Sequence, residues 1–218
     1  MNDARTKMLD RIRSAIGRSG NPDPALIASE AERLLSQSTK TQPALKSQDF
    51  ISEFMSKVTS ERLSATVDLI ASEEEIPSAI QKYLKAQNAP LQLAITPDPT
   101  LHSLNWGEIE THEALDPNQG SAVSRARWGI AETGSLVLTS SPTQPTLYAF
   151  LPLRHIVILP KNKVLGHMED FWREFRATSE LMPRNINFVT GVSGTADIES
   201  KLVRGAHGPR QLHILVVG

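Results

Sequence analysis

The stretch ATVDLIASEEEIPSAIQKYLKAQNAPLQLAITP, residues 65–97, decides the fold class. Ala65 to Ile70 is a short apolar run with β-branched members, the composition of a strand. Ser72, followed three residues later by Glu75, carries the signature of a capping box. Behind it Ile76, Ile80, Tyr83 and Leu84 recur at the spacing of one helical face. Leu91, Leu93 and Ile95 then alternate as a strand that stops at Pro97. A strand, a helix and a strand in that order predict a parallel sheet covered by helices.

The same alternation continues on both sides. Downstream, residues 100–119 are acidic and irregular, with Trp106 and Pro117 among them. Ser121–Arg127 and a Gly129–Thr133 segment follow, and strand patterns stand at Ser135–Leu138, His155–Leu159, Asn187–Thr190 and Leu212–Val217. Met168, Phe171, Trp172 and Phe175 mark a helix face, and Ile198, Leu202 and Val203 mark a short one closed by Gly205. Upstream, Phe50, Ile51, Phe54, Met55 and Val58 form another helix face. Met8, Leu9, Ile12, Ala15 and Ile16 make an amphipathic opening helix, separated from the rest by a Pro-, Ser- and Gln-rich stretch in which Ala25–Leu35 is helical. The expected organisation is an N-terminal helical arm and linker over residues 1–46 and one layered α/β/α domain over 47–218. The arm docks on the body or serves as a partner-binding or oligomerising element.

Composition bounds the chemistry. A chain of 218 residues is long enough for one core without staples. It has no cysteine, which removes disulfides, thiolate-held iron–sulfur clusters and cysteine nucleophiles from this chain. Twenty-three basic against 24 acidic residues leave a formal charge of −1, so no overall field draws nucleic acid or an anionic membrane. No apolar run approaches the roughly 18 residues of a membrane span. The basic first twenty residues contain Asp3 and Asp10, unlike an acid-poor transit peptide, and a cytoplasmic address is expected.

Two polar segments border strands. Thr190-Gly191-Val192-Ser193-Gly194-Thr195-Ala196-Asp197 runs from a strand into a Gly/Ser loop and then into the short helix expected around Ile198. Backbone amides there are suited to a phosphate or carboxylate, with Ser193, Thr195 and Asp197 as candidate binding residues; alternatively Ser193 or Thr195 only caps the helix. It is neither a Walker loop nor a dinucleotide fingerprint. Glu132-Thr133-Gly134-Ser135 leads straight into Leu136-Val137-Leu138. Glu132 is a candidate general base, nucleophile or substrate-orienting acceptor, or else it holds a loop by accepting backbone amides. Thr133 and, after the strand, Ser140 are candidate binding hydroxyls.

Among six histidines, His207 in Gly205-Ala206-His207-Gly208-Pro209 is the candidate acid–base, because it lies in a sharp glycine-flanked loop. His155 is expected as a core hydrogen-bond anchor, and His167 and His213 as structural. His102 and His112 lack the spacing of a metal-binding helix, so no metal site is assigned. No G-x-S-x-G elbow supports a serine triad.

Four segments in order, Ala131–Leu138, Leu151-Pro152 with His155-Ile156-Val157, Ser193 with Thr195–Glu199, and Gly205 with His207-Gly208-Pro209, resemble the LUD-domain lactate utilization protein C family. The resemblance runs from about Asp49 to the end and is densest from Ser121 onward. It implies a layered fold like that of the glucosamine-phosphate isomerase, ribose-phosphate isomerase and CoA-transferase group. It also implies a part in oxidising L-lactate to pyruvate beside two iron–sulfur lactate utilization proteins. Two departures stand out: Gly194 occupies a place where a basic residue is expected, and residues 141–146 carry Pro142 and Pro145 in place of glycines.

The leading expectation is a non-iron–sulfur subunit of a lactate-oxidising system. Its cleft holds a small anionic metabolite through Glu132, Thr133, Ser193, Thr195, Asp197 and His207. The alternatives are a stand-alone transferase or isomerase acting on a phosphate- or CoA-bearing molecule, and a scaffold or regulatory subunit. No cofactor is assigned.

Overall fold

The computed structural model describes residues 2–17, 23–37, 42–115, 120–178, 180–196, 202–205 and 207–218. The chain divides into two compact units, Met1–Gln42 and Pro43–Gly218. The first unit holds α1 (Asn2–Ala15) and α2 (Pro24–Ser36). Asp23 caps α2 through Ala25 N at 2.9 Å, and Pro24 occupies its first turn, where a missing N–H costs nothing. No residue of α2 is buried, and Met8, Leu9, Ile12 and Ile16 of the first segment are exposed.

The second unit is built on six parallel strands. In spatial order they are β1 (Thr66–Ile70), β12 (Gln211–Val217), β7 (Arg154–Pro160), β4 (Ser121–Arg125), β2 (Gln92–Ile95) and β3 (Glu110–His112). The expected strand–helix–strand over residues 65–97 is present as β1, α4 (Ile76–Ala86) and β2, with three strands lying between the two. The cap differs in detail. Ser72 makes no side-chain cap bond, a 3-10 turn over Glu73–Glu75 intervenes, and Glu75 Oε2 accepts Ala71 N at 3.4 Å.

Side-chain alternation sorts the core into layers. Ile156 and Ile158 of β7, with Leu215 and Val217 of β12, face α4 through Ile76, Ile80, Tyr83 and Leu84. Val157, Leu159, Ile214 and Val216 face the opposite way, against Phe54 and Val58 of α3 (Phe50–Val58) and against a second sheet. That sheet has the order β8 (Val164–Leu165), β5 (Trp128–Ile130), β6 (Ser135–Thr139) and β9 (Ile186–Val189). Its outer face carries Trp128, Ile130 and Val137 onto Phe171 and Phe175 of α6 (Met168–Ala177). The architecture is mixed α/β with a mainly parallel central sheet. The second face is covered by one helix and a small sheet rather than by helices alone, because β5 and β6 form a short-looped hairpin that β9, from much later in the chain, joins antiparallel.

The expected helix over Ile198–Val203 is not formed by its described part. Leu202-Val203-Arg204 is a strand, β11, paired antiparallel with β10 (Gly194–Ala196) so that Thr195 opposes Val203. Three apolar residues in so short a run do not distinguish a helical from an extended period, and Val203 and Thr195 are β-branched partners across the hairpin. Gly205, expected as a helix stop, has φ +79° and turns the chain out of the hairpin instead. Asp197 and Ile198 lie outside the described residues.

The turn at Thr146–Ala149 is tied to the central sheet by one buried phenol. Tyr148 Oη donates or is held within hydrogen-bond reach of two carbonyls, Ile95 O at 2.9 Å and Glu113 O at 2.7 Å. A single hydroxyl proton serves only one acceptor fully at a time, so the two carbonyls share it. Tyr148→Phe is expected to lower stability by about 1–2 kcal/mol, measured by urea unfolding, because buried acceptors lose their donor. An unchanged midpoint would show that water reaches both carbonyls.

Candidate functional site

An open cleft of 1120 Å³ lies where α3, the 60–63 turn, the β5–β6 turn, the 190–194 loop and β11 meet. Glu132 and Thr133 line it, as do Thr190, Val192 and Gly194. Glu132 is half-buried; its backbone N–H donates to Gly166 O at 3.0 Å, and its Oε2 accepts Met168 N at 3.4 Å. The carboxylate therefore sits at the first turn of α6, where unsatisfied amides favour negative charge. One oxygen holds the helix start and the other remains for the cleft.

Beside it runs a chain of hydroxyls. Thr133 Oγ1 and Ser135 Oγ are 2.7 Å apart, and Ser135 Oγ and Thr190 Oγ1 are 2.6 Å apart. Ser135 is buried, whereas the two ends, Thr133 and Thr190, both line the cleft. Three hydroxyls carry three protons and the two bonds use two, so with both bonds running in one direction a terminal hydroxyl keeps a proton to donate. Reversing the chain moves that free donor from one end to the other without moving any heavy atom.

Four cations, Lys46, Lys57, Arg62 and Arg204, rim the cleft together with the carboxylates of Glu53, Glu61 and Glu132. Among the described residues none of the four cations forms an ion pair; Arg204 Nη2 reaches the Glu61 carbonyl at 3.5 Å. These basic residues were missed in the sequence reading. Lys57 follows Glu53 by one helical turn on a surface face, and Arg204 lay in a segment read as helix, so neither carried a motif. Only Thr190 had a signal, its place at the head of the Gly/Ser loop.

The remaining candidates are distributed elsewhere. Ser193 does not line the cleft: its N–H donates to Pro209 O at 3.0 Å, and its side chain faces Gly208, near enough that a Cβ there would lie 3.2 Å from Oγ. His207 is exposed on the neighbouring loop, and Thr195 sits in the β10–β11 hairpin; neither lines the cleft. Ser140 borders a separate cleft of 600 Å³ with Arg127, Glu180 and Met182, and exchanges two bonds with Asn185, one through its N–H and one through Oγ, both 2.9 Å. That exchange extends the β6–β9 pairing.

The histidines expected to be structural are engaged in the body. His155 is fully buried with Nε2 2.7 Å from Ser124 Oγ, and burial pushes its pKa down to about 3. His213 stacks on Tyr83 at 4.0 Å, bonds Thr66 Oγ1 through Nδ1 at 2.8 Å, and is pushed down to about 4 by burial. His167 Nε2 donates to Pro43 O at 2.9 Å, which draws the chain onto the body from Pro43. Among the described residues no group of three His, Asp or Glu side chains is placed to hold a metal ion. No described helix is long and apolar enough to cross a membrane.

Comparison with known proteins gives one consistent result. The LUD domain model matches residues 120–217. Lactate utilization protein C of Geobacillus kaustophilus is 41% identical over 123 residues, covering 54% of this chain and 50% of that protein. Lactate utilization protein C of Bacillus subtilis is 37% identical over 114 residues, 50% of this chain and 47% of that protein. An uncharacterized protein of Neisseria meningitidis is 36% identical over 111 residues, covering 50% and 48%. The matched part thus spans about half the length of these relatives. A solved DUF162 family protein from Deinococcus radiodurans shares the fold, with a TM-score of 0.55 at 19% identity over 78% of this chain and 96% of that one.

Proposed function

Because residues 120–217 match the LUD domain model, we propose that this chain works in lactate utilization, as the subunit without iron–sulfur clusters in a system that oxidises L-lactate to pyruvate. The observation that carries this reading is the run of relatives named lactate utilization protein C, 35–41% identical to this chain. The cleft supports it chemically. Cationic side chains attract a carboxylate, and the spare hydroxyl proton of the Thr133–Ser135–Thr190 chain donates to one of its oxygens. Glu132 takes the proton released from the lactate hydroxyl. The Cα hydrogen leaves with its bonding pair, as two electrons and a second proton; a chain without cysteine holds no thiolate-bound cluster, so the acceptor for that pair and proton is carried by two iron–sulfur partner proteins.

The test reconstitutes this chain with those partners and follows lactate-dependent dye reduction. Glu132→Gln keeps the bond to Met168 N but cannot accept the proton, and the rate is expected to fall about 100-fold or more. A rate that is unchanged removes Glu132 from the reaction. A system that turns over lactate equally well without this chain removes the subunit role altogether.

A further inference from the structure

A smaller pocket of 360 Å³ opens at the amino ends of β1 and β12, on the other side of Arg204 from the cleft. We propose that this pocket is a second anion site, built for the phosphate group of a small organic phosphate. Two guanidiniums, Arg204 and Arg210, line it with Ser64, Thr66, Tyr83 and Gln87, and among the described residues no carboxylate lines it. That composition differs from the neighbouring cleft, where three carboxylates balance most of the positive charge.

Most of the lining groups can donate, while Gln211 adds one buried acceptor, its unpartnered Oε1. Gln211 Nε2 donates to Gln87 Oε1 at 2.9 Å, which leaves the Gln87 amide nitrogen, with its two protons, for the pocket. The Tyr83 ring is fixed by its parallel stack on His213, at 4.0 Å and 5° between planes. Thr66 is held to the same imidazole at 2.8 Å. Arg204 is steadied by Glu61 O, and Arg210 supplies the backbone against which Gly205 turns, with its Cα only 3.0 Å from where a Cβ on Gly205 would stand. Ser64 holds a left-handed φ of 52°, an uncommon conformation for serine that brings the 60–64 turn against the pocket.

Charge count selects the ligand class. A single carboxylate satisfies one guanidinium fork and leaves the other cation to solvent, whereas a dianionic phosphate monoester presents oxygens to both. The acids closest along the same strands do not compete: Asp68, two residues beyond Thr66 on the same face of β1, lies 3.9 Å from His213 Nε2. Burial keeps His213 neutral at ordinary pH, so the positive charge of the site comes from arginine. The volume is at the lower end of ligand pockets, roughly 300–1,000 Å³, which suits a phosphorylated molecule of triose or sugar size. The ligand is distinct from the lactate of the larger cleft, and the site stands whether or not the lactate reading holds.

Isothermal titration of the full chain at low salt, with inorganic phosphate, glycerol 3-phosphate and L-lactate as separate titrants, tests it. The expected result is one-to-one binding of the two phosphates, weakened by added salt, and loss of affinity by about tenfold or more in Arg210→Gln and in Arg204→Gln. Arg210→Lys, which keeps the charge and loses the fork, is expected to retain part of the affinity and guards against a variant that fails to fold. No heat with either phosphate overturns the proposal. So does phosphate binding that survives Arg210→Gln, or L-lactate binding at this pocket as tightly as glycerol 3-phosphate.

Discussion

Lowering the pH from 7 to 4.5 is expected to destabilise this protein by about 5 kcal/mol, with stability falling by up to about 2.7 kcal/mol per pH unit over the steepest part of the range. Two buried imidazoles produce the effect. His155 is 0% exposed, with its Nδ1 unpartnered and its Nε2 on Ser124, and its pKa is lowered by burial to about 3. His213 is 2% exposed beneath Tyr83, and burial lowers it to about 4 against a small opposing pull from Asp68. In the unfolded chain both titrate near 6.5. Between 6.5 and 4 the unfolded state therefore takes up as many as two protons that the folded state refuses, and each shifts the balance by about 1.4 kcal/mol per unit. Above 6.5 both states are neutral at these sites and the contribution is fully present. Below about 3 both states are protonated and these two groups remove nothing more.

Urea unfolding at half-unit pH steps measures the slope directly. Against an ordinary stability of about 5–15 kcal/mol, the two groups together remove about 5 kcal/mol by pH 4.5. His213→Gln is expected to flatten the curve by about half, since one of the two protons is then gone. Should unfolding free energy change by less than ~1 kcal/mol between pH 7 and 5, the two imidazoles are either hydrated or charged in the folded protein, and the buried-polar description of the sheet's centre is wrong.

These histidines also show what can be read from residues in a row. His155 heads an apolar strand, so its burial followed from alternation: residues 155, 157 and 159 share one face of β7. The parallel sheet, α3, α4 and α6 were legible for the same reason, since each repeats its apolar residues at a period that only one conformation satisfies. What was not legible was which strands become neighbours. β1 lies beside β12, 145 residues away, and no local pattern encodes that pairing. The hairpin of β10 and β11 was hidden for a different reason, as its strands are three residues each and shorter than one period of the helix they were mistaken for.

The candidate site divides along the same line. Glu132 and Thr133 were found because they stand next to a strand start, where the chain itself brings polar groups to a sheet edge. Lys57, Arg62 and Arg204 come from three separate segments and meet only through the β1–β12 pairing and the hairpin. A sequence motif records residues that one backbone segment positions; it does not record charges gathered by tertiary packing. Ser193 and His207 illustrate the converse. They are neighbours in space, joined through Gly208 and the Ser193–Pro209 bond, and they resemble a family motif, but the joint they form lies away from the lining of the cleft.

The hinge between fold and cleft is Gly191, and Gly191→Ala is expected to cost about 2–5 kcal/mol. Two separate terms add. Its φ of +81° lies in the left-handed region, which strains an alanine by about 1–2 kcal/mol. Its missing Cβ would also stand 2.6 Å from Leu63 O and 2.7 Å from Leu63 Cα, and both atoms are backbone, so no rotamer change relieves the clash. Separating them means breaking the Val192 N to Leu63 O bond of 3.0 Å, and overpacking of that kind costs about 1–3 kcal/mol more. Gly107→Ala separates the terms: its φ is +56° with nothing within 4 Å of the added carbon, so it carries the backbone strain alone. The two variants are compared by urea midpoint at pH 7.5, where both buried histidines are silent. Gly191→Ala should lose at least twice what Gly107→Ala loses. It should also displace Thr190 from Ser135, cutting the hydroxyl chain at one end. Equal losses for the two variants would mean that the 190–194 loop yields freely, and a loop that yields could not hold Thr190 in the wall of the cleft.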